Sequence, residues 1–238
     1  ALSPLGFGRA PLEVAGFAID LMNRVAATAA AAPMAQSLVA SAPAWTLPAA
    51  FLGILAICLW RGPLRWVGLP LALSVLWVPR PPTPDVWISA DGAAVAVREG
   101  RQAVLLRPDV KLFGAELWAR RRGLEPLASE AERDIRFDCD RWSCAPGLGA
   151  PVRLAAAWNL RRPLRAGRLD DLCADAEVVV VRNDLRPERC AAAVVLTGAD
   201  FRAGGSAELY RQADGGWRIV WASDLRGRRP WTWGFDPR

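Results

Sequence analysis

The hydrophobic pattern changes near residue 83, from long apolar runs to short alternating ones. Two apolar runs, Ala44–Trp60 and Leu64–Val78, are separated only by Arg61-Gly62-Pro63. Runs of this kind, nearly free of charge and with tryptophan near their ends, are typical of a helical hairpin in a bilayer. They therefore predict a membrane hairpin over 44–78. The alternative is a helical hairpin buried in a soluble protein.

A less regular apolar stretch precedes the hairpin. Residues 12–32 are apolar except for polar positions from Glu13 to Arg24, which fall on one side at helical spacing. This pattern predicts an amphipathic helix that lies at an interface or packs in a bundle. The chain opens without a charged region followed by an apolar core, so we expect further polypeptide upstream. Residues 1–82 are thus predicted to end a polytopic membrane region.

The arginines of the hairpin predict its orientation. Arg61 and Arg65 lie in the short turn, and cytoplasmic loops are enriched in positive charge. The turn is therefore expected in the cytoplasm, and the following domain in the periplasm, although Arg80 favours the opposite orientation. These expectations describe a multi-pass protein of the bacterial inner (cell) membrane.

Residues 83–238 form the second predicted domain, reached through the proline-rich linker 79–84. Short alternating runs bounded by turn residues predict strands, and an apolar period of 3.6 predicts helices. The predicted strands are 85–89, 93–98, 103–107, 134–137, 152–158, 177–182, 192–196, 207–211 and 217–222, and the predicted helices are 111–122 and 169–174. Turns are expected at Asp91-Gly92 and Asp214-Gly215-Gly216. The pattern indicates an α/β or α+β domain.

The chain is basic, and nearly all of its positive charge is arginine. The formal net charge is +6, and Lys111 is the only lysine among 30 basic residues. Arginine suits phosphate recognition, although a GC-rich coding sequence produces the same bias. Nucleic acid is therefore an open candidate partner on composition alone.

Four cysteines lie in the second domain. Cys139 and Cys144 enclose four residues, which suits a bridge across a hairpin, and Cys173 and Cys190 flank a predicted strand. Their even number favours two disulfides. A zinc site is the alternative, but there is no Cys-x-x-Cys pair and no histidine. Free thiols are the third reading.

The absence of histidine limits the available chemistry. No Ser-His-Asp triad, Cys-His pair or histidine metal cluster is possible, and no phosphate-binding glycine loop is present. Two carboxylate pairs, Asp138/Asp140 and Asp170/Asp171, have the chemistry for Mg²⁺ or for acid–base work. A structural role beside a disulfide and at a helix start explains them better. We therefore expect no enzyme activity and no cofactor.

Two basic clusters are the candidate contacts to DNA. They also fit a helix end stabilised by cations and a solvated loop. Their members are Arg120, Arg121, Arg122, Arg161, Arg162 and Arg165.

The order of several segments resembles the ComEC family, the DNA-internalisation proteins of natural competence, in their alphaproteobacterial form. No single segment is specific, but their order and spacing agree over essentially the whole chain. The segments are the amphipathic stretch 12–32, Trp60-Arg-Gly-Pro-Leu-Arg65, Pro79–Pro84, Asp85–Gly92, Arg107-Pro108, Leu117-Trp118, the paired cysteines, and 176–184 running to Cys190.

The resemblance implies a function and a fold. It implies a component of an inner-membrane channel for uptake of single-stranded DNA, with the bilayer, the upstream polypeptide and other competence-machinery proteins as partners. It also implies a C-terminal domain of the αββα metallo-β-lactamase type. The family's His-x-His-x-Asp-His metal motif has no counterpart here. The expected fold is therefore an α-helical membrane segment followed by a degenerate, non-catalytic α/β domain. A histidine-free metal-dependent nuclease or hydrolase and a membrane-anchored scaffold without a DNA role are the alternatives.

Overall fold

A computed structural model describes most of the chain, in two compact units. The first unit is Ala1–Leu38 and the second is Val39–Arg238. The described residues are 9–32, 38–107, 110, 112–124, 130–158, 166–187 and 189–227. The first unit contains helix α1 (Arg9–Ala30), whose described side chains are exposed.

The second unit begins with short helices and continues with alternating strands and helices. In chain order these are α2 (Thr46–Leu59), a 3₁₀ helix (Pro63–Val67), α3 (Gly68–Ala72), α4 (Ser74–Trp77), β1 (Val86–Ile88), β2 (Val95–Glu99), β3 (Gln102–Leu105), α5 (Leu112–Arg121), α6 (Glu130–Arg136), β4 (Phe137–Cys139), β5 (Ser143–Pro146), β6 (Leu154–Ala157), α7 (Ala166–Ala174), β7 (Val178–Val181), β8 (Val194–Leu196), α8 (Gly198–Gly204), β9 (Ala207–Arg211), β10 (Trp217–Trp221) and α9 (Ala222–Arg226).

Over residues 44–78 the structure shows a series of short helices instead of the predicted membrane hairpin. Helix α2 has 14 residues, about 21 Å at 1.5 Å per residue, against a hydrocarbon core of about 30 Å. The second apolar run is divided into a 3₁₀ helix and two helices of five and four residues. Pro63 starts the first of these pieces, and Pro70 lies inside the second. In the part of the chain that the structure describes, no helix meets the length and hydropathy needed to cross a bilayer.

This finding corrects the expected fold class, the expected localisation and the expected orientation in the membrane. The fold class predicted from the sequence is wrong, because its membrane-spanning helical segment is absent from the described residues. The assignment to a multi-pass inner-membrane protein, with the orientation derived from Arg61 and Arg65, fails for the same reason. The apolar runs predicted helix correctly, but run length overestimated helix length, because prolines interrupt the second run.

The short helices pack on one another through glycine. A β-carbon placed on Gly53 in α2 would lie 2.3 Å from the backbone nitrogen of Ala72, and one on Gly68 would lie 2.5 Å from the carbonyl oxygen of Gly53. Such distances leave no room for a side chain, so the two backbones touch directly. The outward side chains stay exposed, as Leu47 and Trp77 show at 78% and 80%.

Two five-stranded sheets form the body of the described part of the second unit. The first is antiparallel, with the order β10-β9-β1-β2-β3. The second has the order β4-β5-β6-β7-β8 and is mixed, because β6, β7 and β8 run parallel. The glycine turns predicted at 91–92 and 214–216 connect β1 to β2 and β9 to β10. Gly92 and Gly215 both have the positive φ that favours glycine, 64° and 83°.

The sheets face each other across the main core. Strand residues of alternating position, such as Val95, Val97, Leu154 and Val178, are fully buried between them. On the outer face of the first sheet, α5 packs Trp118 against small residues of β2 and β3. On the outer face of the second sheet, α7 packs against β6 and β7. The layers are therefore helix, sheet, sheet and helix.

One local assignment was wrong, and several elements had no prediction. Residues 134–137 were predicted as a strand, whereas α6 continues through Arg136 and β4 begins at Phe137. The segment Glu130–Arg136 consists of strong helix formers apart from Asp134 and Ile135, and Ile135 is exposed. Strand β5 and helices α8 and α9 also lacked a prediction. These pieces are too short to show a hydrophobic period of their own.

Candidate nucleic-acid interface

The four cysteines lie in two bonded pairs. Cys139 and Cys144 are directly opposite each other in the β4–β5 pair and are joined by a disulfide. A second disulfide joins Cys173 of α7 to Cys190, which lies beyond β7. These are the two pairs expected from spacing. The remaining cysteine, Cys58 in α2, is a free and exposed thiol.

The candidate DNA contacts fall on different parts of the chain. Arg120 and Arg121 are exposed in the last turn of α5, where cations interact favourably with the helix dipole. Arg122 follows them and is turned toward the first sheet, where its guanidinium pairs with Glu208 of β9. Arg122 is therefore a structural residue. The other three candidates, at positions 161, 162 and 165, lie outside the described residues.

Glu208 is the centre of a polar network that fixes α5 on the first sheet. Its carboxylate accepts a hydrogen bond from the indole N–H of Trp118 at 3.0 Å and one from the hydroxyl of Tyr210 at 2.9 Å, in addition to those from Arg122. Burial and then the neighbouring Glu208 carboxylate raise the pKa of Tyr210 from 10.0 to about 12. Tyr210 consequently keeps its proton throughout the physiological range.

Tyr210 also lines a groove on the outer face of the first sheet. This outer-face groove has a cavity volume of about 550 Å³. Its charged side chains are Arg98, Arg211, Arg218 and Asp85. Three guanidinium groups and one carboxylate line the groove, and Glu177 pairs with Arg211, so positive groups exceed negative ones by one and the groove suits an anionic ligand.

Each of these arginines is held in place. Arg98 pairs with Asp85, and Arg211 lies 2.7 Å from Glu177. Arg218 is opposite Tyr210 in the β9–β10 pair, and its guanidinium carbon lies 4.5 Å from the centre of the tyrosine ring. Arg211 is stacked in the same way on Trp217, at 5.0 Å. The groove thus combines cations with the ring of Tyr210, whereas Trp217 packs against the core between the sheets.

The groove lies beside the exposed arginines of α5. Arg122 and Tyr210 bind the same Glu208 carboxylate, which places the last turn of α5 next to the tyrosine that lines the groove. Arg120 and Arg121 are exposed in that turn and do not line the groove themselves. Both belong to a basic cluster that is visible in the sequence, whereas the arginines of the groove were not predicted. The sequence feature that could have indicated them is the alternation of polar and apolar residues on the two strands around Asp214-Gly215-Gly216.

The carboxylate pairs do not form a metal site in the structure. Asp140 binds the backbone of its own turn, accepting from the N–H groups of Trp142 and Ser143 at 2.6 Å each. Asp170 accepts from the N–H of Arg189 at 3.3 Å. Among the described residues, no group of three histidine, cysteine, aspartate or glutamate side chains is placed to hold a metal ion.

Comparison with known proteins adds no relative. No protein-family model matches the chain, and neither a curated protein nor a solved structure does.

Proposed function

We propose that this chain binds single-stranded DNA without hydrolysing it and acts as a component of DNA uptake. The observation that carries the proposal is the outer-face groove, where Arg218 stacked on Tyr210 lies beside two further arginines. The link to DNA uptake comes from the sequence resemblance.

Single strands are bound by basic grooves that follow the backbone and by aromatic side chains on which bases stack. The outer-face groove has both parts, since the ring of Tyr210 lines it together with Arg98, Arg211 and Arg218. The exposed Arg120 and Arg121 precede Arg122, which shares the Glu208 carboxylate with Tyr210, and they are further cations for the phosphates of a bound strand.

The non-catalytic part of the proposal has support of its own. The chain has no histidine to act as a general base. Four of its five cysteines are bonded in disulfides, so they supply no thiolate as nucleophile or metal ligand. The fifth, Cys58, lies in α2 and does not line the groove.

The test is binding of a fluorescent oligothymidylate to the full chain, followed by anisotropy over a range of salt concentrations. For single strands, the logarithm of the affinity falls linearly with the logarithm of salt concentration, with a slope of about −0.7 per phosphate contact. Arg218→Gln is expected to weaken binding and to reduce the slope by about 0.7. The Arg120→Gln/Arg121→Gln double variant is expected to act in the same direction.

Arg202→Gln is the matched control. Arg202 is an exposed arginine of α8, 2.7 Å from Asp184 and outside the groove, so its loss removes one positive charge elsewhere. Equal losses of affinity for Arg202→Gln and Arg218→Gln would show that binding depends on the overall charge of the chain and not on the groove. Absence of binding would contradict the proposal and favour a scaffold without a DNA role. Degradation of the oligonucleotide by the purified chain with Mn²⁺ would show that the non-catalytic assignment is wrong.

A further inference from the structure

A second, smaller concavity lies at a different edge of the sandwich. It forms where β3 and β6 end and where the β4–β5 turn reaches toward them. Its lining includes Arg107 after β3, Arg133 of α6, Arg141 of the turn and Trp158 after β6. We call this concavity, with a volume of about 250 Å³, the edge cleft. It shares no lining residue with the outer-face groove.

The arginines of the edge cleft are oriented by different partners. The guanidinium carbon of Arg107 lies 5.4 Å from the centre of the Trp158 ring, and that of Arg141 lies 4.5 Å from the centre of the Trp142 ring. Arg133 is 2.7 Å from Asp134, and its side chain is only 16% exposed. Guanidinium groups that are held in advance lose less conformational entropy when they bind an anion.

Three contacts hold the turn that carries Arg141 in place. The disulfide between Cys139 and Cys144 closes its base, and Cys139 itself lines the cleft. The indole N–H of the buried Trp158 donates to the carbonyl of Arg141 at 3.1 Å, and the backbone N–H of Trp158 donates to the carbonyl of Trp142 at 3.1 Å. These contacts join the turn to the end of β6.

Cationic side chains outnumber anionic ones in the lining of the edge cleft. Three guanidinium groups line it together with one carboxylate, that of Asp140. One oxygen of this carboxylate already accepts the N–H groups of Trp142 and Ser143 at 2.6 Å. Arginines that line one concavity bind an anion through charge-assisted hydrogen bonds, which are stronger than those between neutral groups.

The size of the cleft limits what this anion is. Sites for drug-sized ligands start at about 300 Å³, so this cleft takes a smaller group. The outer-face groove is about twice as large, at about 550 Å³, and is the better path for a continuing strand. Arginine forms bidentate hydrogen bonds to phosphate oxygens, and a phosphate monoester presents more of them, and more charge, than a diester within a chain.

We propose that the edge cleft is a binding site for a phosphate monoester or for phosphate itself, with Arg107, Arg133 and Arg141 as its ligands. The site is independent of the proposed DNA groove.

The experiment is calorimetric titration of the full chain with inorganic phosphate, and separately with a thymidine dinucleotide that does or does not carry a 5′-phosphate. The expected result is saturable binding at one site per chain by phosphate or by the phosphorylated dinucleotide, with no binding there of the unphosphorylated one. Tighter binding of the phosphorylated dinucleotide than of inorganic phosphate assigns the site to strand ends. The reverse order assigns it to free phosphate.

Arg141→Gln is the principal variant, because Arg141 is exposed and its loss leaves the core intact. We expect it to weaken phosphate binding about tenfold, and Arg107→Gln to do the same. Arg202→Gln is again the charge-matched control, and circular dichroism checks that each variant is folded. Absence of saturable binding, or equal losses for Arg141→Gln and Arg202→Gln, would overturn the proposal. Arg218→Gln is expected to retain the phosphate site while losing oligothymidylate, so the two proposals fail separately.

Discussion

The helical segment from α2 to α4 and the two-sheet body differ in how they bury apolar residues. In the sheets, Val95 and Leu154 have no exposed surface, whereas Leu47 and Phe51 of α2 are 78% and 60% exposed. Both regions are rich in aliphatic side chains. Strands such as β2 are covered on the inner face by the opposite sheet and on the outer face by a helix. Helix α2 is covered on the side that meets the 3₁₀ helix, α3 and α4, and its other side is exposed. Apolar composition therefore predicts an element without predicting its burial.

The largest expected effect is loss of a core side chain from the body. Phe201 of α8 is 1% exposed and contacts Trp221 edge to face, with ring centres 5.9 Å apart. We expect Phe201→Ala to lower the free energy of unfolding by about 3–5 kcal/mol, because the cavity it leaves collapses only in part. Chemical denaturation measures this, and a loss below about 1 kcal/mol would contradict the burial of α8 against the sheets.

The next largest loss of stability is expected from removal of the disulfides, and its size differs between the two bridges. The Cys173–Cys190 bridge spans a sequence separation of 17, and the Cys139–Cys144 bridge one of 5. On the chain-entropy model, replacing the first pair by alanine costs about 3 kcal/mol and replacing the second about 2 kcal/mol. Urea unfolding of the two double variants measures the difference. Equal losses would mean that loop length does not determine the effect here.

A smaller effect is expected at the polar network on the outer face of the first sheet. Glu208→Gln removes the charge that Arg122 and Tyr210 bind, and we expect a loss of about 2 kcal/mol. Tyr210 is the only tyrosine, so phenolate absorbance follows this one group. The wild-type midpoint is expected near the pKa of about 12, and it should move toward 10.0 in Glu208→Gln.

The raised pKa of Tyr210 also determines the sign of a pH effect. The folded chain holds the phenolic proton more tightly than the unfolded chain, whose pKa is near the ordinary value of 10.0. The contribution to stability is therefore complete below pH 10 and decreases as the pH rises through about 12. Denaturation at successive alkaline pH values tests this, with Tyr210→Phe as the control that should lose the dependence.

The smallest effect is expected in the helical segment. Phe51→Ser replaces an aromatic side chain that is 60% exposed in α2, and we expect a change within about 0.5 kcal/mol. Comparison with Phe201→Ala places the same residue type in both regions. A large loss for Phe51→Ser would show that the surface of α2 is covered in solution, which would remove the contrast between the regions.

The predictions from sequence were best where a pattern is local. The alternation of 207–211 and 217–222 around Asp214-Gly215-Gly216 indicated the β9–β10 hairpin, because a glycine turn and period-two alternation are properties of neighbouring residues. The helix predicted over 111–122 corresponds to α5 for the same reason. The spacing of the cysteines suggested both pairs. The prediction over 134–137 was wrong, since so short a segment fits either period.

Local sequence patterns predicted the residues of the candidate site less well. Arg122 belonged to a conspicuous basic cluster, yet it is bound to Glu208, which is 86 residues away in sequence. The edge cleft joins Arg107, Arg133, Arg141 and Trp158, which are adjacent only because different strands end at one edge of the sandwich. A basic residue in isolation does not show whether its charge faces a partner or solvent.

By itself, the sequence determined the local elements, the turns that need glycine, and the absence of histidine chemistry, because each of these depends on residue types within a few positions. The tertiary structure decided the rest. Close backbone contacts at Gly53 and Gly68 pack the short helices of the apolar segment on one another, and no helix in the described part of the chain is long and apolar enough to span a bilayer. Long-range strand pairing determined which arginines are neutralised and which face a cleft, and that depends on contacts that no local pattern encodes.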